Sequence, residues 1–316
     1  MIVMDVFPCP ICNSVDSKIY LRKDGNNGEK ERVFLYRCAF CDTVYLGNQK
    51  KLGEYDENLY SYYKKYQGKK KEEVFSSLTR KSYSDVLRLL NAYGGGKSIL
   101  DVGCGKGDFV DAALDEGYEA EGIELSQSAV NIARGFGLPV RNEDFFSNEI
   151  SIASRDIVTM FEVIEHLSNP LQFIDRAAEF VKPGGLIYLT TPNFNSLDRK
   201  ALGVKWDAIN REHLVYFTPA TLLNLINKNP ALTLLHMESR NISVQLIAHC
   251  KKISLILPPW PKRLFIHTDK VPKSESLDLR IQIESSSYLK TLKRYTNLLL
   301  NATSSGSTII ALLRRQ

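Results

Sequence analysis

A chain of 316 residues has room for two domains, or for one domain with additions. With 44% hydrophobic and 24% charged residues the composition is globular, and no apolar run approaches the ~20 residues of a membrane-spanning helix. The net charge of +5 is scattered along the chain, so an anionic partner such as RNA is permitted but not demanded. The first residues, Met1-Ile2-Val3-Met4-Asp5-Val6, lack a basic stretch followed by an apolar one, and a cytoplasmic protein is expected.

Cys9-Pro10-Ile11-Cys12 and Cys38-Ala39-Phe40-Cys41 form two Cys-x-x-Cys pairs separated by 25 residues. This spacing lets four thiolates surround one ion tetrahedrally, as structural zinc requires, with no coordination position left for chemistry. Disulfides and a redox pair are the rival readings. The first needs an oxidising compartment, and the second needs no matching partner pair. Between the pairs, Val33–Arg37 alternates as a strand and Asp24–Gly28 reads as a turn. So small a unit buries little core, and metal binding would supply its folding energy. Residues 1–52 are expected to form this zinc-ribbon-like module.

Residues 53–75 read as a linker in which Tyr55, Tyr60, Tyr62, Tyr63 and Tyr66 cluster. They can wall a substrate or pack the joint between two modules. Lys69-Lys70-Lys71 reads as a solvated loop. A helix expected from about Glu73 to Tyr93 leads to the strand Ser98–Val102. The chain then passes through Asp101-Val102-Gly103-Cys104-Gly105-Lys106-Gly107 into a helical pattern from Phe109. Alternate glycines allow positive φ and close approach of backbone to a ligand, and the helix that follows presents free amides at the same place. Several nucleotide-binding folds use such a turn.

The next strand, Gly122–Leu125, carries Glu124, 23 positions beyond Asp101, where an acid can accept hydrogen bonds from ribose hydroxyls. Ser126 caps a helix through Ala133. A third strand near Pro139-Val140 precedes Asn142-Glu143-Asp144-Phe145, which offers a carboxylate and an aromatic ring to an adenine. Asp156–Met160 is a fourth strand, a near-continuous apolar run as in buried parallel sheets. A helix expected to end at Lys182-Pro183-Gly184-Gly185 precedes the fifth strand, Leu186–Thr190.

This order of elements, with an Asp leading three alternate glycines, resembles the class I S-adenosylmethionine-dependent methyltransferases over roughly residues 75–240. The resemblance implies an α/β fold: a doubly wound, Rossmann-like methyltransferase sheet formed by residues 76–239 and 306–316. It further implies that Asp101, Gly103 and Gly105 border the methionine part of the cofactor, that Glu124 holds the ribose, and that Asp144 and Phe145 face the adenine. Phe161, at the end of strand four, joins these cofactor contacts.

After strand four comes Phe161-Glu162-Val163-Ile164-Glu165-His166. If helical, the segment places Glu162, Glu165 and His166 on one face. A second histidine lies in Asn210-Arg211-Glu212-His213, beyond strand five. Glu-x-x-Glu-His resembles the ubiquinone-biosynthesis O-methyltransferases and the small-RNA 2′-O-methyltransferases. There the positions matching Glu162, Glu165 and His166, with a later histidine matching His213 in the RNA enzymes, hold a divalent cation such as Mg2+. The Glu-His pair also resembles sugar methyltransferases with an N-terminal zinc module. That likeness implies His213 as general base, with Glu212 and His166 beside it in the catalytic set. A third reading gives these residues to loop structure and leaves catalysis to alignment of the acceptor.

Toward the end, Thr218 opens a helix to about Asn227, Ala231–Met237 is strand six, and Thr308–Arg314 is a last strand that the family pairs antiparallel with it. Residues 240–305 are then an insertion, with Pro258–Pro261 and a helix around Ser285–Leu300 as a lid, a dimer face or surface decoration. Cys104 and Cys250 are expected as free buried thiols. The leading expectation is a methyltransferase acting on a small polyhydroxylated acceptor, a sugar, polysaccharide or natural-product precursor, at oxygen rather than carbon. Its alternatives are an RNA methyltransferase and a non-catalytic adenosylmethionine-binding protein.

Overall fold

The computed structural model describes residues 7–23, 32–47, 63, 65–66, 68–147, 152–243, 245–247, 249 and 286–316. The chain begins with three antiparallel strands, β1 (Ser17–Lys23), β2 (Val33–Cys38) and β3 (Val44–Leu46). Each cysteine pair sits on a tight knuckle. Asn13 and Asp42 close the two knuckles in the left-handed region (φ 59° and 64°), their N–H groups donating to the Cys9 and Cys38 carbonyls at 2.9 and 3.1 Å. Short polar side chains tolerate that conformation best. The turn expected at Asp24–Gly28, and Tyr55, Tyr60 and Tyr62, lie outside the described residues.

The helix expected over residues 73–93 is two helices, α1 (Lys71–Val74) and α2 (Ser77–Ala92). The break has a local cause. Ser76 accepts the Thr79 N–H at 3.2 Å and starts a new helix, while Phe75 turns into the core against Phe136, ring centroids 5.4 Å apart. Lys71, expected in a solvated loop, opens α1 and places Nζ 2.6 Å from Oδ1 of the buried Asp111.

The remaining elements alternate strand and helix: β4 (Ser98–Val102), α3 (Asp108–Asp115), β5 (Glu119–Glu124), α4 (Gln127–Gly135), β6 (Val140–Asn142), β7 (Arg155–Phe161), α5 (Pro170–Phe180) and β8 (Val181–Pro192). Then come α6 (Leu197–Leu202), β9 (Val215–Tyr216), α7 (Pro219–Ile226), β10 (Leu232–Arg240), α8 (Ser287–Ala302) and β11 (Thr308–Arg315). One correction falls at β8. The helix ends at Phe180, short of the Lys-Pro-Gly-Gly stretch, because Val181 already pairs with Arg155.

Seven strands form one sheet in the order β10-β11-β8-β7-β4-β5-β6. Neighbours from β6 to β8 are parallel, and β11 runs antiparallel between β8 and β10. Successive side chains of each strand point to opposite faces. Ile99, Ile157 and Leu186 therefore pack with α2, α3 and α4, while Leu100, Val158 and Ile187 pack with α5 and α7. Both faces are buried, which is why the strands read as apolar runs. Strand order reverses at β4, where a doubly wound sheet opens a crevice at its carboxyl edge.

The N-terminal strands do not form a sheet by themselves. Their fourth strand is β9, with Val44 opposite Tyr216 and Tyr45 opposite Val215. Leu35 and Tyr45 are consequently buried in the same apolar cluster as the α5 side of the large sheet. Of the expected insertion, α8 is described, attached through Asn301 Oδ1, which accepts the Ser239 N–H at 3.0 Å. Cys250 and Pro258–Pro261 lie outside the described residues. No helix is long and apolar enough to cross a membrane among the described residues.

Candidate active site

The glycine turn sits at the carboxyl end of β4. Gly103, Gly105 and Gly107 adopt φ of 67°, 55° and 86°, so the turn needs residues without a side chain. A Cβ on Gly103 would fall 2.7 Å from Val163, and one on Gly105 would fall 2.7 Å from the Tyr63 hydroxyl. Glu124, at the end of β5, is buried and ties the loops together: its Oε2 accepts the Gly105 N–H at 2.9 Å and its Oε1 the Ser126 N–H at 2.8 Å.

Asp101 is buried, and burial pushes its carboxyl up to about 8, helped by the negative charge of Glu124 and Asp108. Thr159 on β7 donates to its Oδ1 at 2.6 Å and opposes the rise. Acids crowded this way ionise more readily when a cation arrives. A ligand carrying an ammonium and a sulfonium supplies such a cation, and the bare backbone cradle leaves it room.

Other expected cofactor contacts are placed differently. Asp144 is exposed at the β6 edge, and its Oδ1 accepts the Phe146 N–H at 2.8 Å. Phe145 is 4% exposed and packs against Phe173 and Phe180, centroids 4.5 and 5.1 Å away, so its ring belongs to the core; the outward ring is Phe146, 41% exposed. Phe161 is half-buried among Tyr83, Phe109 and Tyr188.

The acid-histidine segment is not an α-helix. Glu162 takes a left-handed conformation (φ 55°), its N–H donating to the Thr190 carbonyl at 3.1 Å, and Ile164–His166 form a single 3-10 turn. The expected common face of Glu162, Glu165 and His166 therefore does not exist. Instead the fold joins Glu165, His166 and His213: one ligand atom from each lies within 4.8 Å of the others, and Glu162 stands outside that set. The histidine rings meet edge to face with centroids 4.8 Å apart.

Local bonds orient all three residues. His166 Nδ1 donates to the Glu212 carbonyl at 2.9 Å, which leaves the Nε2 lone pair for the cluster. The His213 ring is set by its edge-to-face contact with His166 and lies beside the Ala208 backbone. Burial holds His166 below the ordinary imidazole range, and burial with the neighbouring His166 pulls His213 down to about 3. Both rings are neutral, the form that binds metal. Glu165 is 1% exposed; Thr191 donates to its Oε2 at 3.0 Å, and its Oε1 is buried with no hydrogen-bond partner. Burial, then the charge of Glu162, raises its carboxyl. Water reaches Glu162 through the open crevice, yet protein surrounds it on most sides and raises its carboxyl as well. The side chain of Glu212 is exposed; its backbone carbonyl meets His166, and its charge opposes the fall of that imidazole.

The four cysteines form a second cluster, their sulfurs all within 4.8 Å of one another. Cys9 and Cys41 are 3.5 Å apart, as are Cys12 and Cys38. Metal–sulfur bonds of about 2.3 Å in a tetrahedron put sulfurs about 3.8 Å apart, so the cluster fits such an ion. The Cys9–Cys41 hydrogen bond raises the first thiol and lowers the second.

Three participants were not legible in the sequence. Thr159 looks like any strand residue until it reaches Asp101. Tyr63 was one of five linker tyrosines, and only its place over Gly105 singles it out. Lys106 is buried inside the turn, donating to the Val74 carbonyl at 2.9 Å and lying 4.7 Å from the Phe75 ring, which docks the linker on the glycine loop.

The strand order, the glycine turn beside a buried acid, and a second acid closing β5 define a methyltransferase-type Rossmann domain. Residues 73–229 match the family model described as a methyltransferase domain, and through this domain the chain belongs to the class I S-adenosylmethionine-dependent methyltransferases. Among curated proteins it is 34% identical over 109 residues to a ubiquinone biosynthesis O-methyltransferase of Paracidovorax citrulli, covering 32% of this chain and 46% of that one. It is 27% identical over 184 residues to the protein of that name from Vibrio parahaemolyticus, covering 50% and 78%. The chain thus spans less than half the length of several curated relatives it matches. Among solved structures, an S-adenosylmethionine-dependent methyltransferase from Archaeoglobus fulgidus aligns over 78% of this chain and 97% of its own, at 18% identity and a TM-score of 0.47.

Proposed function

We propose that the chain transfers the methyl group of S-adenosylmethionine to a hydroxyl of a small acceptor with neighbouring oxygens, of the sugar or natural-product-precursor class, with a divalent cation held by Glu165, His166 and His213. The observation that carries this reading is the buried, unpartnered Glu165 Oε1 in a cluster to which Glu165 and the two imidazoles each bring one ligand atom, all within 4.8 Å. Such a set can surround a cation, which would give the Glu165 carboxyl the partner it otherwise lacks.

On the donor side we assign Asp101, Gly103 and Gly105 to the methionine part of the cofactor, where the bare glycines leave room and the Asp101 carboxyl meets its positive charge, and Glu124 to the ribose. The acceptor oxygen bonds to the methyl carbon as the carbon–sulfur bond breaks, the sulfonium becomes a neutral thioether, and the hydroxyl proton passes to solvent water. A cation bound at the three residues would lower the pKa of that hydroxyl and hold two adjacent oxygens in line with the donor. The role of general base suits His213 poorly, since a catalytic base works best with a pKa near the ambient pH and His213 lies at about 3. We assign the four-cysteine cluster to structural zinc.

Labelled methyl transfer to nucleotide-sugars, catechols and RNA, each with Mg2+ or with EDTA, tests the reading. We expect transfer to a small vicinal diol, lost in EDTA and restored by cation, and lost in Glu165→Gln. Turnover indifferent to EDTA and to Glu165→Gln overturns the cation reading. Transfer to RNA alone overturns the small-acceptor reading.

A further inference from the structure

The two clusters, cysteine and acid-histidine, are joined by one residue. Leu214 donates its N–H to the Glu165 carbonyl at 2.7 Å, and its own carbonyl accepts the Leu46 N–H at 2.9 Å. Leu214 follows His213 directly and precedes β9, the strand that pairs with β3. At its other end β3 begins just beyond Cys41. There Cys38 donates its N–H to the Thr43 carbonyl at 3.0 Å, and the Cys41 thiol donates to Thr43 Oγ1 at 3.3 Å. A short backbone path therefore runs from the cysteine cluster through Thr43, β3 and Leu214 to both Glu165 and His213.

The methyltransferase domain holds the segment 206–216 through Gln245, which exchanges hydrogen bonds with Asp207 at 3.2 and 3.1 Å, through His166 on the Glu212 carbonyl, and through Phe194 against Trp206 and Tyr216. Asn210 Oδ1 accepts the N–H groups of Glu212 and His213 at 2.8 and 3.0 Å, and the Tyr216 hydroxyl donates to the Asn210 carbonyl at 3.0 Å. These bonds are internal to the segment and shape it without fixing it to the protein. The N-terminal module adds its own anchors: Lys23 Nζ donates to the Ile209 carbonyl, and β3 supplies the ladder to β9. A two-residue strand has no stability unless its partner is rigid. β3 is held on two sides: Val44, Tyr45 and Leu46 are buried in the shared apolar cluster, and Thr43 just before it is tied to the cysteine knuckle, whose order depends on what gathers the four thiols.

We propose that the four-cysteine module is a positioning element of the catalytic centre: by holding β3 in place it fixes Leu214, and through Leu214 the separation of His213 and Glu165. The donor side is built from β4, β5 and β7, which pair with strands of the large sheet and not with β3. The inference rests on the functional reading above, and its test has a readout that does not.

Two variants test it in the full chain. Cys9→Ser with Cys12→Ser removes half the thiols. Leu46→Pro keeps all four but deletes the N–H that Leu214 accepts. Zinc content is followed by elemental analysis, adenosylhomocysteine affinity by calorimetry, and backbone protection by hydrogen exchange of peptides spanning 206–217 and 98–110. We expect at least a tenfold loss of protection over 206–217 in both variants, unchanged protection over 98–110, adenosylhomocysteine Kd within twofold of the parent, and zinc retained in Leu46→Pro. Turnover should fall at least thirtyfold. Should the double serine variant unfold throughout, Leu46→Pro decides alone. Native protection over 206–217 in zinc-free protein, or in Leu46→Pro, overturns the inference. If the parent chain methylates nothing but protection changes as described, the functional reading fails and the positioning role stands.

Discussion

Replacing Gly105 with alanine loads two separate penalties onto the donor loop. Its φ of 55° lies in the left-handed region, where an L side chain costs about 1–2 kcal/mol. The added Cβ would also lie 2.7 Å from the Tyr63 hydroxyl, so the linker over the loop must shift. Either response disturbs the Gly105 N–H bond that orients Glu124. A loss of about 1–2 kcal/mol in cofactor binding is about 5–30-fold in Kd. Gly117 is the control: its φ is 77°, yet no atom lies within 4 Å of a Cβ built there. Gly117→Ala bears the same backbone strain far from the site. Calorimetry with adenosylhomocysteine should show weakened binding for Gly105→Ala alone, and thermal unfolding should show both variants destabilised by about 1–2 kcal/mol. Equal affinity in the two variants would refute the cofactor role of the turn.

Asp101 predicts a pH effect. Its carboxyl is raised, so the folded chain holds that proton more tightly than the unfolded one; the stability this adds is complete in acid and fades as pH climbs toward about 8. The buried histidines act in the opposite sense at lower pH, so the informative quantity is the Tm of the parent minus that of Asp101→Asn, in ligand-free protein between pH 5 and 8. It should fall as pH rises, and a flat difference excludes the shift. Phe145→Ala should cost roughly 3–5 kcal/mol of stability, as for a core ring, with adenosylhomocysteine affinity of the folded fraction unchanged. A selective loss of affinity would return Phe145 to the adenine. Elemental analysis of purified protein should find close to one zinc per chain, absent from Cys9→Ser/Cys12→Ser; a metal-free parent would overturn the zinc assignment.

Legibility followed the range of the interactions. Ser126, Thr218 and the glycine turn were readable because caps and positive φ are local chemistry, and the structure has Ser126 and Thr218 accepting the N–H groups of Ala129 and Thr221, both at 3.2 Å. The strands were readable because a sheet buried on both faces needs apolar residues throughout. Residues 162–166 misled for the same local reason: the spacing fits a helix, but the Glu162 N–H is claimed by Thr190 at the end of β8, and the chain turns instead. Phe145 and Phe146 are chemically alike in sequence, and only the position of α5 decides which is covered.

By itself the sequence determined the donor: an Asp, alternating glycines and a second acid at a set interval form a cradle that backbone geometry and strand length dictate. It also determined the two cysteine pairs, whose spacing is a property of a single turn. Which acid and histidines come together was decided only in three dimensions. Glu165 and His213 meet because β9 leaves the main sheet to pair with β3, and no local pattern encodes a strand two residues long. Its place depends on a partner far away in the chain, and so does the chemistry it positions.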